Sequence, residues 1–167
     1  MVTIEEQHEM ARRLVDQARE FSPNSVYYVE TGGHTTAEVL GEALGIPKRG
    51  IDLRYPLSRI AGRGLSPLKI ILFPFKEIAY RLTNPSGGDI LEIPEPGTRI
   101  LLVDDSASSG RTLEVAIRIL ADCGLDRKDI FVAVLRCGAR ASGLVDARVT
   151  GERIVFQRDR RMKRFAT

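Results

Sequence analysis

The 167-residue sequence has few cysteines and no long apolar stretch. Its two cysteines, Cys123 and Cys137, form neither a C-x-x-C pair nor a metal-ligand spacing, which favours reduced thiols over a disulfide or zinc framework. No apolar run reaches membrane-spanning length. The first ten residues, MVTIEEQHEM, are charged where a signal peptide has an apolar core. We therefore expect a cytoplasmic protein without a membrane partner.

The length suits one compact domain, residues 1–167, and 43% hydrophobic residues can supply its core. Charged residues make up 28% and the net charge is only +3. Basic residues are concentrated at 158–164, in the sequence RDRRMKR. A basic segment can contact nucleic acid, but a solvated terminal segment is the more economical interpretation, and we do not expect a nucleic-acid partner.

Apolar runs alternate with segments of helical periodicity along the chain. Buried strands that alternate with helices predict an α/β protein with a mostly parallel sheet and helices on both faces. Ligands bind such sheets at the carboxyl ends of the strands. The pattern predicts helices over 3–20, 35–44, 66–83 and 111–122, and strands over 26–29, 51–55, 100–103, 130–135 and, more weakly, 153–156, with a possible short edge strand at 90–93.

The most informative segment is ILLVDDSASSGRTL, residues 100–113. An apolar strand ends in Asp104 and Asp105, and a loop of small hydroxylated residues leads directly into a helix. Small residues allow backbone N–H groups to approach an anion, and the start of a helix attracts negative charge. The two carboxylates would repel a phosphate but suit sugar hydroxyls or a Mg²⁺ ion. A phosphate receptor beside a diol receptor predicts a site for ribose 5-phosphate.

This segment resembles the phosphoribosyl-pyrophosphate signature of type I phosphoribosyltransferases, whose positions are matched by Asp104, Asp105, Ser109, Gly110 and Thr112. The resemblance implies the type I phosphoribosyltransferase fold, with a small hood formed by terminal and inserted segments. It implies that Asp104 and Asp105 are catalytic and hold the ribose and, indirectly, Mg²⁺. The implied 5-phosphate loop comprises Ser106, Ala107, Ser108, Ser109, Gly110, Arg111 and Thr112.

The implied activity is Mg²⁺-dependent transfer of a phosphoribosyl group from phosphoribosyl pyrophosphate to a nitrogenous base, a purine rather than a pyrimidine, with release of pyrophosphate. The turn after the first strand, Thr31, Gly32 and Gly33, would bind the pyrophosphate through its backbone, and Arg54 is a further candidate contact. His34 is either a pyrophosphate contact or a helix cap. Arg59 and Arg63, in a basic loop, are either lid residues or solvated surface charges.

The base-binding half of the family pattern is less complete. Members that use hypoxanthine and guanine carry an acid at the position of Ser108, near the base N7, and a serine is not a comparable general base. They also carry a lysine that reads the 6-oxo group, and Arg136 is the candidate at that place. No aromatic residue at 145–148 is available to stack on a base. A regulator that binds phosphoribosyl pyrophosphate without turnover is therefore the alternative function.

A response-regulator receiver domain is a rival interpretation of residues 99–113, because its first strand also ends in two metal-binding aspartates. That fold requires a phosphoacceptor aspartate and a lysine on later strands. Asp146 is the only plausible acceptor, and too little sequence follows Asp104 for the remaining repeats. The length excludes the receiver domain.

The segment 66–83 is apolar on more than one helical side, since Ile70 and Phe73 lie off the main stripe. The alternatives are packing inside the domain, a hood over the base site, a contact between two copies of the chain and a membrane surface. The last is the least favoured, because charged residues interrupt the run and Pro74 breaks the helix. Type I phosphoribosyltransferases are often dimers, so the resemblance implies a homodimer.

Overall fold

The computed structural model describes residues 1–30, 32–54, 87–90, 92–95, 97–152 and 155–156. The predicted helix over 3–20 is two helices, because the chain turns at Arg13 and Leu14 and buries Leu14. The elements in chain order are α1 (Ile4–Arg12), α2 (Val15–Phe21), β1 (Ser25–Val29), α3 (His34–Leu44), β2 (Lys48–Arg54), β3 (Gly87–Ile90), β4 (Ile100–Ala107), α4 (Arg111–Asp122), β5 (Ile130–Cys137) and β6 (Ala147–Thr150).

The strands form one six-stranded sheet in the order β3-β2-β1-β4-β5-β6. Each neighbouring pair is parallel except β2 and β3, which are antiparallel. The predicted mostly parallel sheet is therefore confirmed. The possible edge strand also exists, but it lies at Gly87–Ile90 rather than 90–93.

Helices cover both faces of the sheet. On β4, Ile100 and Leu102 pack in the cluster that includes α4, whereas Leu101 and Val103 pack in the cluster that includes α1 and α3. All four side chains are fully buried. Strand side chains alternate between the two faces, so an unbroken apolar run is what a strand covered on both sides requires.

The last strand of the sheet is Ala147–Thr150, not the predicted 153–156. Asp146 explains the position, because its carboxylate accepts from the Val132 N–H at 2.7 Å and its own N–H donates to the Val132 carbonyl at 2.9 Å. These bonds align the next residues with β5. Residues 153 and 154 of the predicted strand lie outside the described residues, and Phe156 forms an isolated parallel bridge with Val2.

Several predicted features lie outside the described residues. They are the helix over 66–83, the basic loop with Arg59 and Arg63, and the basic segment 158–164. Within the part of the chain that the structure describes, no helix is long and apolar enough to span a membrane.

Candidate functional site

The site predicted from the sequence lies at the carboxyl edge of the sheet, where β1, β4 and β5 end side by side. β4 continues beyond Val103 through Ala107, because Ser106 and Ala107 pair with Arg136 and Cys137 of β5. The two aspartates therefore lie inside the strand, and so do Ser106 and Ala107, which the sequence analysis placed in the 5-phosphate loop. Pairing of β4 with β1 ends at Val103, so beyond that residue the pairing with β5 alone holds the strand.

Asp104 and Asp105 have different surroundings. Asp104 is 4% exposed, whereas Asp105 is half-buried and lies against Gly32. Burial raises the pKa of Asp104 well above its ordinary value, and the neighbouring charge of Asp105 raises it further. The Asp105 N–H, which donates to Asp104 Oδ1 at 2.9 Å, opposes the rise in the pKa only in part. Only Asp105 is open to solvent in a way that suits direct contact with a sugar hydroxyl.

The Gly32–Gly33 turn packs directly on the end of β4. A Cβ atom at Gly32 would lie 2.7 Å from Cγ of Asp105, and one at Gly33 would lie 2.6 Å from the carbonyl oxygen of Val103. The structure thus brings together the two sequence motifs that predicted the site. A side chain at Gly33 would meet the backbone of β4, whereas one at Gly32 would meet the carboxylate of Asp105.

The N–H groups of this turn differ from the prediction. Gly32 and Gly33 both donate to the carbonyl of Val29, at 3.2 and 2.8 Å, because the chain closes a tight turn there. They are therefore not open donors for an anion in this structure. The open donors lie one step later, at the start of α3, where Gly33 as the N-cap residue offers no side chain to cap the helix.

The second predicted anion receptor is the loop between β4 and α4. Gly110 is the N-cap residue of α4 with φ of 82°, and the helix start carries no side-chain cap. A side chain at Gly110 would also meet Leu144, at 2.7 Å. The Arg111 N–H points to Ser109 Oγ at 3.4 Å. An uncapped helix start beside hydroxyl groups, with Thr112 in its first turn, matches the predicted phosphate receptor.

Arg136 borders this loop from β5. Its Nη1 donates to Ser108 Oγ at 2.8 Å, and its Nε donates to the carbonyl of Glu152 at 2.8 Å. The guanidinium therefore links the loop to the segment after β6. This is the side of the loop on which the resemblance positioned the base, so Arg136 remains the candidate there.

Sequence reasoning did not recognise that the titratable residues beside the glycine turn form a cluster. Tyr28 lies edge-on to His34, with ring centroids 5.4 Å apart, and Glu30 lies across Gly50 of β2. Burial raises the pKa of Glu30, Asp52 raises it further and His34 lowers it. Burial and the charge of Glu30 raise the pKa of Tyr28. The alternation of residues along β1 and β2 is the signal that could have grouped them.

Some predicted contacts stay predictions. Thr31 lies outside the described residues, as do Arg59 and Arg63. Arg54 is the last residue of β2, but only its backbone is described.

The described residues contain no group of three or more histidine, cysteine, aspartate or glutamate side chains that could hold a metal ion. Asp104 and Asp105 offer carboxylate oxygens, the donors that Mg²⁺ prefers. Two adjacent carboxylates without a third protein ligand fit a Mg²⁺ ion held mainly by substrate and water. They do not fit a protein-held metal centre.

No family model matches the sequence. The chain resembles curated proteins named adenine phosphoribosyltransferase. It is 34% identical over 95 residues to one from a Nocardioides species, covering 54% of this chain and 51% of the relative. It is 32% identical over 105 residues to one from Rhodospirillum centenum, covering 54% of this chain and 61% of the relative. The chain thus spans about half to three fifths of these relatives.

Solved structures extend the likeness over nearly the whole chain. A purine phosphoribosyltransferase from Pyrococcus horikoshii superposes with a TM-score of 0.64 at 24% identity, covering 93% of both chains. The chain has the type I phosphoribosyltransferase fold. In this fold the Asp104–Thr112 segment has the position and order that the sequence resemblance implied, since it connects a central strand to a helix at the carboxyl edge of the sheet.

Proposed function

We propose that this chain transfers a phosphoribosyl group from phosphoribosyl pyrophosphate to a nitrogenous base, releases pyrophosphate and requires Mg²⁺. The observation that carries the proposal is the contact of Gly32 with Asp105. Gly32 precedes the start of α3 and Asp105 precedes the start of α4, and neither helix start has a side-chain cap. The contact therefore joins a receptor for a sugar diol to two helix starts that suit anions. A phosphoribosyl pyrophosphate has that arrangement of charges, with a phosphate on each side of a ribose.

The roles of the residues follow from their surroundings. The half-buried carboxylate of Asp105 accepts hydrogen bonds from the ribose hydroxyls, and Asp104 orients this residue by accepting the Asp105 N–H. The α4 start, with the hydroxyls of Ser109 and Thr112, holds the 5-phosphate. When bound, Mg²⁺ neutralises charge on the pyrophosphate. The protein contributes mostly positioning of the reacting groups and stabilisation of the leaving charge.

We assign the pyrophosphate to the start of α3, beside the turn Thr31 to Gly33, with Arg54 as a further contact. His34 is the first residue of that helix.

We favour a purine as the base. The relatives are named adenine phosphoribosyltransferase, and the Pyrococcus structure is named a purine phosphoribosyltransferase. Arg136 borders the base, and its guanidinium can only donate hydrogen bonds.

The deciding experiment is release of pyrophosphate from phosphoribosyl pyrophosphate with adenine, guanine, hypoxanthine, xanthine, uracil and orotate, with and without Mg²⁺. Asp105→Asn should lose at least 100-fold in kcat/KM, the scale of a lost positioning group. Asp122→Asn, at the exposed end of α4, is the matched control and should retain activity. Absence of turnover with every base in the presence of Mg²⁺ would refute the proposal.

Binding without turnover is the second candidate function. The observation in its favour is that β6, which lies beside Arg136, has the sequence Ala-Arg-Val-Thr and offers no aromatic side chain for stacking on a base. Calorimetry with phosphoribosyl pyrophosphate would then give saturable binding while the base panel remained silent. Loss of that binding in Asp105→Asn would show that phosphoribosyl pyrophosphate binds at the predicted site.

We also propose that residues 1–167 act as a single domain, and that the chain is a cytoplasmic homodimer. Both cysteines are free thiols, as a reducing compartment requires. Light scattering at micromolar concentration tests the dimer, with Phe73→Glu as the disrupting variant. A monomeric wild type would refute it.

A further inference from the structure

A hydrogen-bonded pair links β5 to the loop between β4 and α4. Arg136 Nη1 donates to Ser108 Oγ, and Arg136 Nε donates to the Glu152 carbonyl, both at 2.8 Å. Two different nitrogens of one planar group are engaged, so the guanidinium is held in a fixed orientation. A surface arginine without such bonds would sample many rotamers.

The backbone of Ser108 is held as firmly as its side chain. The Gly138 N–H donates to the Ala107 carbonyl at 2.7 Å, which continues the pairing of β4 with β5. A Cβ atom at Gly138 would lie 2.8 Å from the Ser108 carbonyl oxygen. The absence of a side chain at Gly138 thus lets the loop rest on the end of β5, where Arg136 can reach Ser108.

The chemistry of the two groups fixes the direction of the hydrogen bond. A guanidinium has five N–H donors and no acceptor, and it stays charged at any accessible pH. The Ser108 oxygen must therefore accept, and its own hydrogen must point away from Arg136. No acceptor for that hydrogen is present in the described part of the chain, and Ser108 is exposed. The pair presents one hydroxyl donor, polarised by a positive charge, to the open side of the loop.

We propose that Arg136 is a positioning residue that holds the Ser108 hydroxyl as a hydrogen-bond donor to the incoming base. This rests on the proposed function. Along the chain Ser108 follows the proposed sugar-binding aspartates and precedes the proposed phosphate-binding helix start, and its exposed hydroxyl is the group that we propose meets a base attached at the sugar. The base must present an acceptor there, either a ring nitrogen or a carbonyl oxygen. Neither serine nor arginine titrates near neutral pH, so the contact does not depend on pH.

The test compares Ser108→Ala and Arg136→Gln with wild type, using the best base of the panel. Each variant should lose about 3- to 10-fold in kcat/KM for the base, the effect of one hydrogen bond. The KM for phosphoribosyl pyrophosphate should change less than twofold. The double variant should lose no more than the larger single loss, because both changes remove one contact. Arg136→Lys should recover part of the activity, and Arg140→Gln, at an exposed arginine nearby, should match wild type.

The ratio of wild-type to Ser108→Ala kcat/KM should stay constant from pH 6 to pH 9. A ratio that changes with pH would mean that a titrating group makes this contact and would overturn the inference. Wild-type kinetics for the base in Ser108→Ala would overturn it while leaving the proposed function intact. If wild type itself turned over no base, both would fall together. A lower melting temperature of Arg136→Gln combined with unchanged kinetics of Ser108→Ala would make the arginine purely structural.

Discussion

Alanine at Gly32 should damage function, whereas alanine at Gly33 should damage the fold. At Gly32 the new Cβ would lie 2.7 Å from Cγ and Oδ1 of Asp105 and 2.8 Å from Oδ2, so it meets only a half-exposed side chain. The carboxylate must retreat by about 0.7 Å to reach an ordinary 3.4 Å contact. At Gly33 the Cβ would lie 2.6 Å from the carbonyl oxygen of Val103 and 3.1 Å from the nitrogen of Val29, and a strand cannot move aside as a side chain does.

Neither glycine has a positive φ, so alanine is not strained by backbone conformation. Gly33→Ala should therefore lose about 1–3 kcal/mol of unfolding free energy through overpacking. A loss of 1 kcal/mol lowers the melting temperature by about 2–4 °C in a chain of this size. Gly32→Ala should stay within about 1 kcal/mol of wild type, since the carboxylate can rotate into solvent.

The functional effect should be the reverse of the stability effect. Displacement of a ligand-binding group by somewhat less than 1 Å can cost up to about 100-fold, so Gly32→Ala should weaken binding of phosphoribosyl pyrophosphate about 10- to 100-fold. Calorimetry measures the binding, and thermal melting of the same samples measures the stability. If Gly32→Ala bound the ligand as wild type does while Asp105→Asn did not, the contact between glycine and carboxylate would have no role in positioning the site.

Three further predictions follow from single contacts. Because the pKa of Asp104 is raised in the folded state, its stabilising contribution is full below the ordinary aspartate pKa of about 3.9 and is lost as pH rises toward the native pKa. Asp104→Asn should therefore flatten the fall of the unfolding free energy with pH, measured by urea unfolding, and should exceed wild-type stability at pH 8. An unchanged slope of unfolding free energy against pH would contradict the assignment. Gly110→Ala combines a φ of 82° with a Cβ 2.7 Å from Leu144, so it should lower the melting temperature and weaken inorganic phosphate binding together; loss of neither would mean that the loop adapts. Asp146→Ala leaves the Val132 N–H without its carboxylate and should cost about 1–3 kcal/mol in urea unfolding without changing ligand affinity; wild-type stability would remove its role in aligning β6.

The sequence was sufficient for the elements with strong local signals. The helix over 111–122 has the predicted limits, because an apolar stripe begins at Leu113, in the first turn after Gly110, and stops before Gly124. The apolar run at 100–103 is a strand as predicted, but β4 extends to Ala107. Aspartate and serine are poor strand formers, so only pairing with β5 keeps them extended. That pairing is a tertiary effect and carries no local signal.

The strand at Ala147–Thr150 escaped prediction for a related reason. Its composition is half polar and too short to show a period. What defines it is the carboxylate of Asp146, which binds the backbone of Val132 on the neighbouring strand. The receiver-domain interpretation considered the same aspartate as a phosphoacceptor. The structure assigns it to backbone hydrogen bonding instead.

The candidate site was likewise predictable only where its signals are local. Each motif was visible in the sequence. The contact of Gly32 with Asp105, however, requires β1 and β4 to be neighbours in the sheet, and no local sequence pattern predicts that pairing. The engagement of the turn's N–H groups by Val29 also depends on the local backbone path. A Gly-Gly pair indicates that a turn exists, but it does not determine which way the N–H groups point.

The two halves of the site also differ in how far a likeness to other proteins can inform them. The proposed sugar and phosphate half is one continuous segment, residues 100–113, which supplies the strand end, the loop and the helix start together. A sequence match that covers only part of the chain can still include the whole of such a segment. The proposed base half combines Ser108 and Arg136, which belong to two separate segments. A substitution at either of them would alter the donors that a base meets. The name of a partly matched relative therefore supports the phosphoribosyl donor more strongly than it supports adenine, and the choice of base must be measured on this chain.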